Sequence, residues 1–142
     1  MIRQVLLIGR WSAEFLFAIE RYDKEGVLAC LYDAGAPQKV LEGALELMEG
    51  CEWNCGLTFT NPKRKRAVIL IGPTTGGDEF LSTFTHELRH LVDYIMTDAG
   101  VQLDTETPAY LTGDTARGLA DIVCMLGCDH CREELRGSRT DD

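Results

Sequence analysis

Residues 78–97 carry apolar side chains at a spacing that only a helix can place on one face. At about 100° per residue, Phe80, Leu81, Phe84, Leu88, Leu91, Val92 and Ile95 fall on one stripe, while His86, His90 and Asp93 fall on the opposite side. Asp78, at the end of the loop "TTGGD", is the expected N-cap. A helix of roughly 20 residues is about 30 Å long, the width of a small domain. With 142 residues available, the chain has material for one core, and that core must form against this stripe.

The remaining segments supply the partners. Residues 5–8 form a short apolar run ended by Gly9, consistent with a buried strand. Ser12 is placed to cap a helix over residues 13–23, with Phe15, Ile19 and Tyr22 at helical spacing, although "FLFAI" would also suit a strand. Residues 27–32 suit helix or strand equally, and "DAGAP" at 33–37 is a break. Val40, Leu41, Ala44, Leu45 and Met48 predict an amphipathic helix over 38–48, ended by Gly50. Leu57 and Phe59 alternate with Thr58 and Thr60, a basic turn follows at 63–66, and 67–71 is continuously apolar before Gly72 and Pro73. That order predicts a β-hairpin with one half-exposed and one buried strand. A final helix is expected over about 105–126, with Pro108 in its first turn, and a charged, flexible tail over 133–142. The fold class is therefore α+β, a small sheet backed by the histidine-bearing helix and a C-terminal helix.

The polar face of the long helix carries H-E-x-x-H, residues 86–90. Residues four apart stand one turn above each other, so His86 and His90 can present two imidazoles to one zinc ion. Glu87 beside them has the chemistry of a general base, taking a proton from a metal-bound water and passing it to a leaving nitrogen. Asp93 is either the carboxylate that orients His90 or a solvated helix residue. A catalytic zinc needs a third protein ligand and an open position. Glu106 is the candidate, sharing a polar stripe with Tyr110, Gly113 and Arg117; Asp104 and Asp114 are its rivals, and Asp104 can instead cap the helix. Two surface histidines on an amphipathic helix are the plainer alternative, although two of the chain's three histidines share this one turn.

"HELRH" at 86–90, followed by the E-x-x-A-Y of 106–110, resembles the zincin-like metallopeptidases, specifically the glutamate-ligand (gluzincin) branch and its small intracellular members. The resemblance spans roughly residues 80–117. It implies a zincin-like domain over 1–132, His86, His90 and Glu106 as zinc ligands, Glu87 as general base, Tyr110 near the metal, and a protein or peptide substrate. It also implies a strand beside the active-site helix, for which residues 57–60 or the neighbouring buried strand qualify, where an extended substrate adds by main-chain hydrogen bonds. Arg89 departs from the uncharged residues usual around the motif, so it is expected at a solvent edge or paired with an acid. The alternative implied by the same likeness is a catalytically silent zincin-fold binding protein that keeps zinc for stability.

Other features narrow the partners. A net charge of −9 opposes nucleic-acid and anionic-membrane binding. The basic turn at 63–66 reads as a solvated hairpin loop rather than a steering device. The N-terminal residues lack a convincing secretory signal, which favours a cytoplasmic location and reduced thiols. Cys51, Cys55, Cys128 and Cys131 have spacings that a structural zinc site could use, but ordinary thiols are the preferred reading and disulfides the least favoured; Cys30 is expected in the core.

Overall fold

A two-residue turn at Gly9 and Arg10, with Gly9 at φ +58°, folds β1 (Ile2–Ile8) back on β2 (Trp11–Phe17) in the computed structural model, which describes residues 1–140. A positive φ of this kind costs glycine little, and short hairpins favour it. Strand β2 replaces the helix expected over residues 13–23. The reason is two-sided burial. Trp11, Ala13, Phe15 and Phe17 enter one core while Leu16 enters another, so the strand is buried along nearly its whole length, Glu14 included, and lacks the alternation of a half-exposed strand. Beyond it, Ala18 adopts φ +54°, and a 3-10 turn at Arg21–Asp23 leaves Tyr22 exposed.

The ambiguous residues 27–32 lie within α1 (Lys24–Asp33), and α2 (Gln38–Gly50) forms over the expected segment. The hairpin is present as β3 (Gly56–Asn61) and β4 (Arg66–Ile71). Strand order is β1-β2-β4-β3, with β2 and β4 parallel and the outer pairs antiparallel. Glu14 ties the first three of these strands together. Its buried carboxylate accepts from Arg3 Nε at 3.1 Å and Arg66 Nη2 at 3.0 Å, and Arg66 Nη2 also reaches Asp33 at 3.2 Å.

Helix α3 (Gly77–Asp98) crosses one face of the sheet, burying Phe80, Phe84, Leu88, Leu91, Val92 and Ile95 against Phe15, Phe17, Ile69 and Ile71. Leu81, counted with that stripe by its angle, remains 50% exposed. The opposite face is covered by α1 and α2, where Val27, Leu31, Ala44 and Met48 meet Leu16, Val68 and Leu70. Cys30 is half-buried at the margin of this second core instead of inside it; burial, then the neighbouring Glu14, push its thiol pKa up.

The single C-terminal helix expected over 105–126 is two helices, α4 (Glu106–Gly118) and α5 (Ala120–Leu126). Leu119 breaks them with φ −110° and ψ 11° and is buried in the α3-side core. Gly118 permits this approach, since a Cβ there would lie 3.3 Å from Leu6 of β1. Helix α6 (Asp129–Thr140) occupies most of the segment expected as a flexible tail; Asp141 and Asp142 lie outside the described residues. Among the described residues no helix is long and apolar enough to cross a membrane.

Phe17 joins the sheet to α3, with ring centroids 6.0 Å from Phe15, 6.4 Å from Phe80 and 6.2 Å from Phe84. Phe17→Ala is expected to cost about 3–5 kcal/mol, read as a lowered midpoint in chemical denaturation. A loss under about 1 kcal/mol would contradict this packing.

Candidate active site

Helix α3 begins one residue before Asp78, with Gly76 rather than Asp78 as its N-cap; Asp78 sits in the first turn and accepts the Glu79 N–H at 2.9 Å. Because the apolar stripe is held by the sheet, the opposite side of α3 faces solvent, and His86 and His90 stand there. Their Nε2 atoms are 3.1 Å apart and their ring centroids 4.7 Å apart, with ring planes at 78°. One imidazole can donate to the other across this gap. Equally, two nitrogens so separated and each about 2.05 Å from a zinc ion would subtend about 100° at it, near the tetrahedral angle. The pair therefore fits two adjacent positions of a tetrahedral ion.

Glu87 is only 5% exposed, although its neighbour His86 is open to solvent. One residue further around the helix, it turns from the solvent face toward β3, which packs along α3. Its Oε2 accepts the Thr58 hydroxyl at 2.6 Å, and the same hydroxyl lies 3.2 Å from the Glu87 carbonyl. Oε1 lies 4.0 Å from His86 Nε2. Gly56 provides the room: a Cβ at that position would fall 2.7 Å from Glu87 Cγ and 2.9 Å from Oε1. Gly56 and Thr58, two apart on β3, thus share the face that meets this carboxylate. Neither role was read from the sequence, where Thr58 stood out only as a polar member of an alternating strand.

An open cleft of about 690 Å³ runs between the end of α2, the 51–55 loop and α3, with Glu46, Asn54, Gly56, Glu79, His86 and Glu87 among its lining residues. Asn54 ties the loop to residues 73–75. Asn54 donates through Nδ2 to Thr75 Oγ1 at 3.2 Å and accepts the Thr75 N–H at 3.1 Å, while its own N–H reaches the Pro73 carbonyl at 2.9 Å.

Other expected groups are arranged differently. Asp93 does not orient His90; its two carboxylate oxygens lie 2.8 and 2.9 Å from Arg89 Nε. Arg89 is thereby both at a solvent edge and paired with an acid, and the Tyr94 ring stacks beside His90 at 6.2 Å. Glu106 begins α4, which packs on α3, but its side chain is exposed. Among the described residues no group of three or more His, Cys, Asp or Glu side chains gathers to hold a metal, so Glu106 does not join the two histidines. Asp114 pairs with Arg117, Thr105 rather than Asp104 is the N-cap of α4, and Tyr110 is 69% exposed. The polar stripe of α4 faces solvent instead of closing over the histidines.

Cys51 and Cys55 are joined by a disulfide, against the preference for ordinary thiols, and Cys128 and Cys131 are free. The two pairs do not assemble a common metal site among the described residues. A four-residue spacing closes within one loop, which leaves those sulfurs nothing to offer a distant pair. Comparison with protein-family models, with curated proteins and with solved structures finds no match to the chain.

Crowding at position 56 can be measured against an open glycine. Gly56→Ala is expected to cost about 1–3 kcal/mol by overpacking Glu87. Gly113→Ala, on an exposed turn of α4 with nothing within 4 Å of the added Cβ, is expected to gain about 0.5–1 kcal/mol. Equal effects in thermal denaturation would remove the claim that Gly56 makes space for the carboxylate.

Proposed function

We propose that this chain is a zinc-dependent metallopeptidase of the zincin type, with His86 and His90 as ligands and Glu87 as general base in peptide-bond hydrolysis. The observation that carries the reading is the 3.1 Å approach of the two Nε2 atoms beside a buried, oriented carboxylate. Two surface histidines on an amphipathic helix have no need of such a neighbour.

A zinc ion bound there would lower the pKa of its water and polarise the scissile carbonyl. Glu87 does the proton work. With Oε2 held by Thr58, Oε1 is the oxygen on the side of the histidines, and it accepts the proton of the attacking water. The same oxygen then delivers that proton to the departing amine nitrogen. Thr58 acts as a positioning residue, keeping the carboxylate from rotating away. An extended peptide lies along β3, the edge of the sheet nearest α3, pairing with its main-chain groups. Glu106 is the proposed third ligand. Its carboxylate is exposed and makes no hydrogen bond or ion pair among the described residues, and an approach of that side chain to the histidines would complete the set.

Metal content and hydrolysis of a peptide library, measured on the same preparations, test each role. One zinc per chain is expected, lost on His86→Ala and weakened on Glu106→Ala. Glu87→Gln should keep the zinc and lose about 10²–10⁴ in rate. Thr58→Val should lose about 10–100-fold. Full zinc affinity in Glu106→Ala rejects that ligand alone. A silent Glu87→Gln, together with unfolding on chelation, replaces the enzyme by the metal-stabilised binding protein.

A further inference from the structure

The C-terminal cysteines stand apart from the candidate active site and from the closed Cys51–Cys55 pair. Cys128 ends the turn after α5, and its carbonyl accepts the Arg132 N–H at 3.1 Å, the first main-chain bond of α6. Cys128 is therefore the N-cap of α6, and Cys131 is the third residue of that helix. Its sulfur takes the place of the usual capping oxygen. The first-turn N–H groups of His130 and Cys131, together with the Cys131 thiol, favour the charged form of this sulfur. Residues three apart on a helix have Cα atoms about 5 Å apart, inside the range of about 4.4–6.8 Å that a disulfide bridges.

The turn is held in place by its surroundings. The Gly127 carbonyl packs so closely on Gly77, at the start of α3, that a Cβ there would lie 2.2 Å from it. Asp129 pairs with Arg132, whose Nη1 also donates to the Leu126 carbonyl at 2.8 Å. Both sulfur-bearing residues are half-buried at the surface, within reach of a small reagent.

We propose that Cys128 and Cys131 form a redox-active dithiol that cycles between free thiols and an intramolecular disulfide by exchange with a small disulfide of the glutathione type. Cys128 is the attacking group. Its thiolate is favoured chiefly by the hydrogen bonds from Cys131 and opposed by partial burial and Asp129, the net effect holding its pKa below that of an ordinary thiol. The Cys131 thiol is held above the ordinary value, by its neighbour Cys128 first, then by partial burial and Glu134. The Cys128 thiolate attacks one sulfur of the oxidised reagent, forming a mixed disulfide and releasing one thiolate. Cys131 then gives up its proton and attacks Cys128 Sγ, expelling the second. Two protein thiols and one reagent disulfide become one protein disulfide and two reagent thiols, so electrons and protons balance.

The intact chain is incubated with oxidised glutathione, alkylated, cleaved with trypsin and weighed. Residues 118–132 form one tryptic peptide containing Cys124, Cys128 and Cys131. Wild type and Cys124→Ser should both yield this peptide lighter by two hydrogens, without a glutathione adduct. Cys131→Ser should instead trap glutathione on residue 128. At a pH about two units below the free-thiol value of about 8.5, Cys128 should be alkylated about tenfold faster than Cys124 for each unit by which its pKa is lowered. Equal alkylation rates with separate adducts on Cys128 and Cys131 overturn the proposal. So does protection of both thiols that is lifted only by a zinc chelator, which would make them metal ligands.

Discussion

Parallel pairing of β2 with β4 is the contact on which the rest of the molecule depends. Both strands are buried on both faces, so the sheet requires a helical layer on each side. Helices α1 and α2 form one layer, and α3 with the C-terminal helices forms the other. Once α3 is bound through Phe80, Phe84, Leu88, Leu91 and Val92, its rotation about its own axis is set. The faces shown by His86, Glu87 and His90 follow from that rotation. Moving the stripe would turn the imidazoles toward the sheet or leave the glutamate in water.

Adjacent residues in the H-E-x-x-H turn therefore meet different surroundings. His86 and His90 stand in solvent at hydrogen-bonding distance from each other, while Glu87 reaches across the seam to the edge strand. A glycine on β3 makes space for the carboxylate, and a threonine two residues later fixes one of its oxygens. The Thr58 hydroxyl satisfies one oxygen of this buried carboxylate and selects which oxygen faces the histidines, so the proposed base is oriented by packing before any substrate arrives.

The cysteine pairs show how similar spacings lead to different states. Cys51 and Cys55 lie in the irregular connection between α2 and β3, where the backbone can bring the two sulfurs together. Cys128 and Cys131 lie at the first turn of a helix and are free, and the amide hydrogens of that turn favour a charged Cys128 sulfur. Spacing alone does not distinguish these cases, because the local backbone conformation decides whether a sulfur meets its partner or an N–H.

What the chain's order of residues determined was local. The apolar stripe of α3, the α2 segment, the β3–β4 hairpin and the convergence of two histidines one turn apart follow from periodicity and short-range geometry. The tertiary structure decided what depends on distant partners. Residues 11–17 became a strand because β1 and β4 flank them, and the final helix broke at Leu119 because the core took that side chain. Glu87 was paired with Thr58 and Asp93 with Arg89, and Glu106 was left exposed at the start of α4, outside any cluster with the histidines among the described residues. Periodicity reports which face of an element is apolar; which neighbour that face meets is set by summed burial over the whole chain, a quantity no short window contains.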